Sequence, residues 1–196
     1  MKIKLVAICT LLSSFAFSQK TDGIKNKQLK KNATTSVLQE SEFVVEVGEQ
    51  EEQYKIIAKK IIQKNGWISN RNSAFVRGIE GFVKGVYVND GKLFVLIEVA
   101  NRTNINYDVE TISFITDPIQ VRNRQIAAEE KIFSPIYSIQ TETIAKKSKE
   151  RLVFVFDKFT ISDNKNLLFV MSEIDGERTL TLEVKPKYIV GAEYVK

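Results

Sequence analysis

From Ala74 onward the apolar residues recur with a period of two, broken at short intervals by turn-forming clusters, and this restricts the chain to a sheet-rich fold. Phe82 to Val88 and Leu93 to Val99 flank Asn89-Asp90-Gly91, a strong signal for a tight hairpin turn. In the second segment Leu93, Val95, Ile97 and Val99 share one face and Glu98 lies on the other. Tyr107 to Thr116, Ile119 to Ala127 and Ile132 to Tyr137 are further strand candidates. Arg151 to Phe156 and Leu167 to Ser172 are nearly continuous apolar runs, which predicts strands covered on both faces. Asp175-Gly176 then turns the chain into Thr179 to Val184. About seven or eight short strands of this kind predict a mainly β fold, an immunoglobulin-like β-sandwich, although the Cys…Trp…Cys signature is absent.

One amphipathic α-helix is expected ahead of the sandwich. Between Glu49 and Lys64, Tyr54, Ile57, Ala58, Ile61 and Ile62 fall on one helical face. Acidic residues open this segment and Lys59, Lys60 and Lys64 close it, which suits the helix dipole. Asn65-Gly66 supplies residues that tolerate a left-handed stop. The apolar stripe is expected to pack on the following domain, with a groove on a partner as the alternative. Trp67, just past the stop, reads as a packing residue rather than a ligand platform.

The segment 1–18 reads as a secretory signal peptide, with Lys2 and Lys4 ahead of an apolar stretch from Leu5 to Leu12. Ala16 and Ser18 put small residues where a signal peptidase cuts, between Ser18 and Gln19. The stretch is shorter than the roughly 20 residues of a membrane span. Cys9, the only cysteine, would leave with the leader, so no disulfide is expected in the mature chain. Residues 19–48 read as a flexible, lysine-bearing tail with one possible strand at Glu42 to Val47. The helix and sandwich occupy 49–196. The formal net charge of +5 falls to +3 once Lys2 and Lys4 are removed, too little to argue for direct nucleic acid binding.

Chemistry is harder to find than fold. With no histidine, the commonest general base and neutral metal ligand are missing, so neither catalytic residues nor metal or cofactor ligands are expected. The nine glycines are scattered among turns rather than gathered into a phosphate-binding loop. Ser162 and Lys165 match a Ser-x-x-Lys spacing, but Asp163 and Asn164 predict a turn where that motif needs a helix. Glu129 and Glu130 are adjacent and would point to opposite faces of a strand.

Several stretches in order carry a resemblance. They are Asn101-Arg-Thr-Asn104-Ile-Asn-Tyr107-Asp108, Arg122-Asn-Arg124 continuing to Glu129-Glu130, Pro135-Ile-Tyr137, Asp157-Lys158-Phe159 and Gly176-Glu-Arg178. Together, over Gln53 to Ala192, the chain resembles the TraN proteins of Bacteroidetes-type conjugative transposons. Longer members carry another β-rich region ahead of this domain, where the present chain has a tail and one candidate strand. The resemblance implies a non-enzymatic envelope component of a type IV secretion-like DNA-transfer apparatus, in the periplasm or at the outer membrane. Its partners would be other apparatus subunits, through which it would associate with the membrane. The alternative is a free periplasmic or surface sandwich that binds a carbohydrate or a protein.

The motif residues also have direct physical readings. Asn101, Asn104 and Asp108 suit a turn between strands, with Tyr107 anchoring it by its ring. Arg122 and Arg124, two apart, share a strand face and could pair with Glu129 or Glu130, structurally or as a docking patch; the structural role is favoured. Asp157 and Lys158 are expected to end a strand, with Phe159 buried. Export predicts that amino-terminal sequencing of envelope material finds Gln19 first. An intact Met1 in the cytoplasm would contradict it.

Overall fold

The structure, a computed structural model, describes residues 53–69, 72–119 and 130–196. The signal peptide, the tail, the candidate strand at Glu42 to Val47 and most of the candidate strand at Ile119 to Ala127 lie outside them. A helix, α1, spans residues 53–61. The strands that follow are β1 (Ser73–Val76), β2 (Ile79–Asn89), β3 (Lys92–Asn101), β4 (Tyr107–Pro118), β5 (Tyr137–Ile139), β6 (Thr143–Ile144), β7 (Lys149–Asp157), β8 (Lys165–Glu173) and β9 (Leu180–Val184). A five-residue helix α2 (Pro186–Val190) and strand β10 (Glu193–Tyr194) close the chain.

Two sheets form a β-sandwich. One runs β1-β2-β3-β7-β5 with β10 also beside β2, and the other runs β6-β4-β8-β9. The pairings are antiparallel except for β10 against β2. The expected hairpin joins β2 to β3, with Asp90 and Gly91 at φ of 40° and 70° between the paired Asn89 and Lys92. Positive φ at both central residues is the turn whose twist matches that of the flanking strands.

Alternation decides which side chains reach the core. Leu93, Val95, Ile97 and Val99 enter the space between the sheets, as the sequence predicts. Phe114 sits at its centre with ring centroids 5.0, 4.9 and 5.4 Å from Phe154, Phe156 and Phe169, each in an edge-on arrangement. The alternate residues of the same strands, Phe94, Leu96, Val153 and Val155, point outward and meet Ile57, Ala58 and Ile61 of α1. The helix stripe therefore packs on the domain that follows it. A helix this short has little stability alone. Each isoleucine it buries fully contributes about 1.5–3 kcal/mol.

Two expectations need correction, and of a third, the candidate strand at Ile119 to Ala127, only Ile119 is among the described residues. Strand β8 is covered on one face only: Leu167, Phe169 and Met171 are buried, whereas Leu168 and Val170 are half-exposed. Ile132 to Tyr137 is not one strand. Ile132 makes a single bridge to Ile115 on β4, and β5 begins only at Tyr137 on the opposite sheet. Pro135, lacking an N–H, lies where the chain changes sheets. Ile119 lies beyond the end of β4 in irregular structure, its N–H donating to the Asn164 carbonyl at 2.7 Å.

The outer edge of β2 is covered along much of its length. β1 pairs with its first residues, and the Val83 N–H donates to the Asn72 carbonyl at 3.1 Å. The Ile68 N–H donates to Lys84 O at 3.0 Å and the Trp67 indole N–H to Val86 O at 3.1 Å. Trp67 also meets Tyr188 edge-on at 5.8 Å, so it is a packing residue. Gly66, at φ 82°, passes so near β2 that a Cβ would stand 2.2 Å from Lys84 O. Gly66→Ala is therefore expected to lower stability by about 1–3 kcal/mol. The urea midpoint should fall at an unchanged m-value, and a midpoint equal to wild type would refute the account.

Candidate functional site

The residues singled out in the sequence gather most densely where β3 crosses to β4. Asn101, fully buried at the end of β3, uses its whole amide. Its Nδ2 donates to Ile105 O at 2.8 Å and Ile144 O at 3.1 Å. Its Oδ1 accepts from the Thr103 N–H at 2.9 Å and the Thr103 hydroxyl at 2.7 Å. This is the side-chain-to-backbone turn that a short amide favours. Asn104 is exposed at the tip of that turn.

Tyr107 begins β4 and is fully buried. Its hydroxyl lies 2.7 Å from Arg178 O and 3.0 Å from Met171 O, so one proton serves two carbonyls. Burial, then the negative charge of Glu173, pushes this phenol up to about 12, while Arg178 pulls the other way. The Arg178 guanidinium stands 5.2 Å from the centre of the Tyr107 ring. It grips the Glu173 carboxylate with two groups, Nε to Oε2 at 2.7 Å and Nη2 to Oε1. Nη2 also donates to Asn106 O at 2.7 Å and Nη1 to the Thr103 hydroxyl at 3.3 Å. The hydrogen bond to Glu173 raises the Arg178 pKa against the opposing effect of burial. Both side chains are about nine-tenths buried, at 9% and 12% exposure.

The two motif segments, 101–108 and 176–180, thus interlock at one end of the sandwich. The sequence reading did not single out Thr103, Asn106 or Glu173, which complete the arrangement. Glu173 had a legible signal: it and Arg178 flank Asp175-Gly176, so opposite charges face each other across a turn. Asp108 belongs to β4 rather than to the turn. Its Oδ1 accepts from the Thr143 hydroxyl at 2.7 Å, and its carbonyl accepts from the Ile174 N–H at 2.9 Å.

The remaining candidates lie elsewhere. Asp157 ends β7, Lys158 follows it, and both are exposed. Asp157 accepts from Lys92 at 2.6 Å, and the two residues face each other in the β3–β7 register. Because that pairing is at the start of β3 and Asn101 at its end, the sites are about 30 Å apart along the strand. Phe159 is half-buried rather than buried. It stacks on Phe133 at 4.0 Å and meets Phe156 edge-on at 5.7 Å, at the rim of the core. Glu130 is exposed, and Arg122, Arg124 and Glu129 fall outside the described residues, as does any pairing among them. Ser162 lies ahead of the turn that Lys165 leaves as the first residue of β8, and the Ser162 hydroxyl and Asn164 Oδ1 are 2.6 Å apart.

A second charged group lies under the end of α1. Burial would raise the Glu98 carboxyl, but the hydrogen bond from Arg151 at 3.2 Å and the charges of Lys149 and Lys84 hold it below its usual value. Arg151 also reaches the Ile62 carbonyl at 3.4 Å, just past the end of α1. In both groups the charges are spent on joining one element to another. Among the described residues no cluster of three or more acidic, cysteine or histidine side chains could hold a metal ion.

A family model described as a domain of unknown function, DUF4138, matches residues 51–194. The chain belongs to this family. The match takes in α1, both sheets and the interlocked turns, so the helix on the outer sheet face lies within the family's span. No curated protein and no solved structure matches the chain.

In the DUF4138 domain Arg178 is the residue on which the interlock turns. Arg178→Met would strand the Glu173 carboxylate in a buried site, at an expected cost of about 3–5 kcal/mol. Combining it with Glu173→Leu should restore most of that loss, because no unpaired charge remains. Denaturant unfolding of the single and double variants measures both effects. A single variant as stable as wild type would show that the pair holds nothing together.

Proposed function

We propose that the chain is a TraN-like envelope component of a conjugative, type IV secretion-like DNA-transfer apparatus. In this reading the DUF4138 domain is a non-enzymatic module for structure and protein interaction, exported to the periplasm or the outer-membrane-associated envelope. The observation that carries the reading is the interlock at Arg178. The Tyr107 hydroxyl and the Arg178 carbonyl it meets are 71 residues apart in sequence, and the segments around them are two of those that carry the family resemblance. Residues that converge to fix a fold support treating the quoted segments as parts of one domain.

The electrostatics favour a module that works through its surfaces. At the interlock an arginine and a glutamate neutralise each other, and a buried phenol is held protonated by its surroundings. Groups so committed give rigidity to the turns they join. No helix among the described residues is long and apolar enough to cross a membrane. Attachment through partner subunits is part of the proposal.

Deleting the gene in a strain without a second copy should lower DNA transfer, with restoration from a plasmid copy. The tagged protein, purified from solubilised envelopes, should bring other transfer-apparatus subunits with it. Unchanged transfer in the clean deletion strain would end the conjugation reading.

A further inference from the structure

Strand β5 pairs with β7 on one edge and, among the described residues, with no strand on the other. It is three residues long. Tyr137 and Ile139 lie on the α1 side of the sheet, where with Tyr54 and Ile62 they pack against the cluster of Phe94, Leu96, Val153 and Val155. All four of these flanking residues are only half-buried. The layer between α1 and the sheet therefore stops short at β5, with apolar surface still open to water. More burial is to be gained on that side, and a further strand on β5 would supply it.

The chain carries a segment suited to this edge. In Glu42 to Val47, Phe43, Val45 and Val47 alternate with Val44 and Glu46, so a strand there is apolar on one face. Gly48 to Glu52 join it to Gln53, where α1 begins. The step from Val47 to Gln53 spans at most about 20 Å. The first turn of α1 stands beside β5: the Tyr54 and Tyr137 rings are 6.0 Å apart, and the Lys55 ammonium is 6.0 Å from the centre of the Tyr137 ring.

The opposite edge of the same sheet is too far. Strand β1 pairs with Ile79 to Phe82, level with the last residues of β3, whereas Tyr54 lies near Lys92 at the start of β3. Seven residues along the strands and two strands across make about 25 Å. The edges of the other sheet lie on the far side of the core from α1, about 10 Å deeper. We propose that Glu42 to Val47 form a strand on the free edge of β5, with Phe43, Val45 and Val47 turned toward Tyr137, Ile139 and Ile62. Tyr137 is the first residue of β5 and the one beside Tyr54, so an antiparallel strand brings Val47 to the start of α1. The lysine-bearing tail then leaves the domain from the Ile139 end of β5, at a fixed point. This docking concerns the chain alone and stands whether or not it joins a transfer apparatus.

NMR of the isotope-labelled chain from Gln19 to Lys196 tests it. Amides between Val44 and Val47 should exchange slowly with solvent, and nuclear Overhauser contacts should join this segment to Tyr137, Ser138 and Ile139. Proline removes a ladder donor, and neighbouring residues of a strand donate to opposite sides, so one of Val44→Pro and Val45→Pro must break the added pairing. That variant should lose the slow exchange between Val44 and Val47 and the contacts to β5, while Ile97 at the centre of the sheet keeps its protection. If a proline variant does not fold, the contacts in the unmodified chain decide alone. Exchange of Val44 to Val47 at free-chain rates would overturn the proposal. So would contacts to Ser73 and Phe75 of β1 instead of β5, or contacts to β5 that arise only between labelled and unlabelled chains in a mixed sample. Contacts and exchange that survive both proline substitutions would overturn it too.

Discussion

Strands β3 and β7 are apolar on both faces, and the rest of the architecture follows from that. Leu93 to Val99 and Leu152 to Phe156 each send alternate residues into the space between the sheets and the others outward. An outward face made of Phe94, Leu96, Val153 and Val155 cannot be left to water without losing its burial energy. Helix α1 supplies the cover, so the domain is three layers deep over these two central strands. The buried Glu98 in the same outward face is tolerated because Arg151 and Lys149 meet it. Through its bond to Ile62, Arg151 also ties the end of α1 to the sheet.

A sandwich with short edge strands needs its edges protected, and here the protection comes from irregular segments as much as from strands. Along β2 the edge is taken in turn by β1, by Asn72, Ile68 and Trp67, and by β10. Asn89 secures the last of these, its Nδ2 donating to the Val195 carbonyl at 2.9 Å. On β4, Val109 is met by Glu142, and Phe114 and Thr116 by Phe133 and Lys131. The segment around Ile132 is thus an edge cover, which explains why a run that reads as a strand forms only one bridge.

The two ends of the sandwich differ in how their polar groups are spent. At the Arg178 end the amide of Asn101, the hydroxyl of Tyr107 and the Glu173–Arg178 pair bond to one another or to nearby backbone. Those bonds hold the two turns in one arrangement. At the Asn166 end one buried acceptor, Asn166 Oδ1, has no hydrogen-bond partner among the described residues.

Much of the fold was legible because periodicity is a local property. The stripe of Tyr54, Ile57, Ala58 and Ile61, the alternation in β3 and the Asp90-Gly91 turn each depend on residues close together in sequence, and each forms as read. Where the sequence misled, distant segments decided. Leu168 and Val170 look as buried as Val153 and Val155, but no helix among the described residues covers their face of the sheet. Phe159 reads as core, yet it lies at the rim because the chain leaves β7 two residues earlier. At the interlock the Glu173–Arg178 pair was legible across the Asp175-Gly176 turn, but nothing local disclosed that Tyr107 would meet the Arg178 and Met171 carbonyls. Sequence by itself determined which residues alternate, which face is apolar and where the chain turns. Only the tertiary structure decided that Arg178 would meet Asn106 and Thr103, since which distant turns come together depends on how two sheets register against each other, and no local spacing records that.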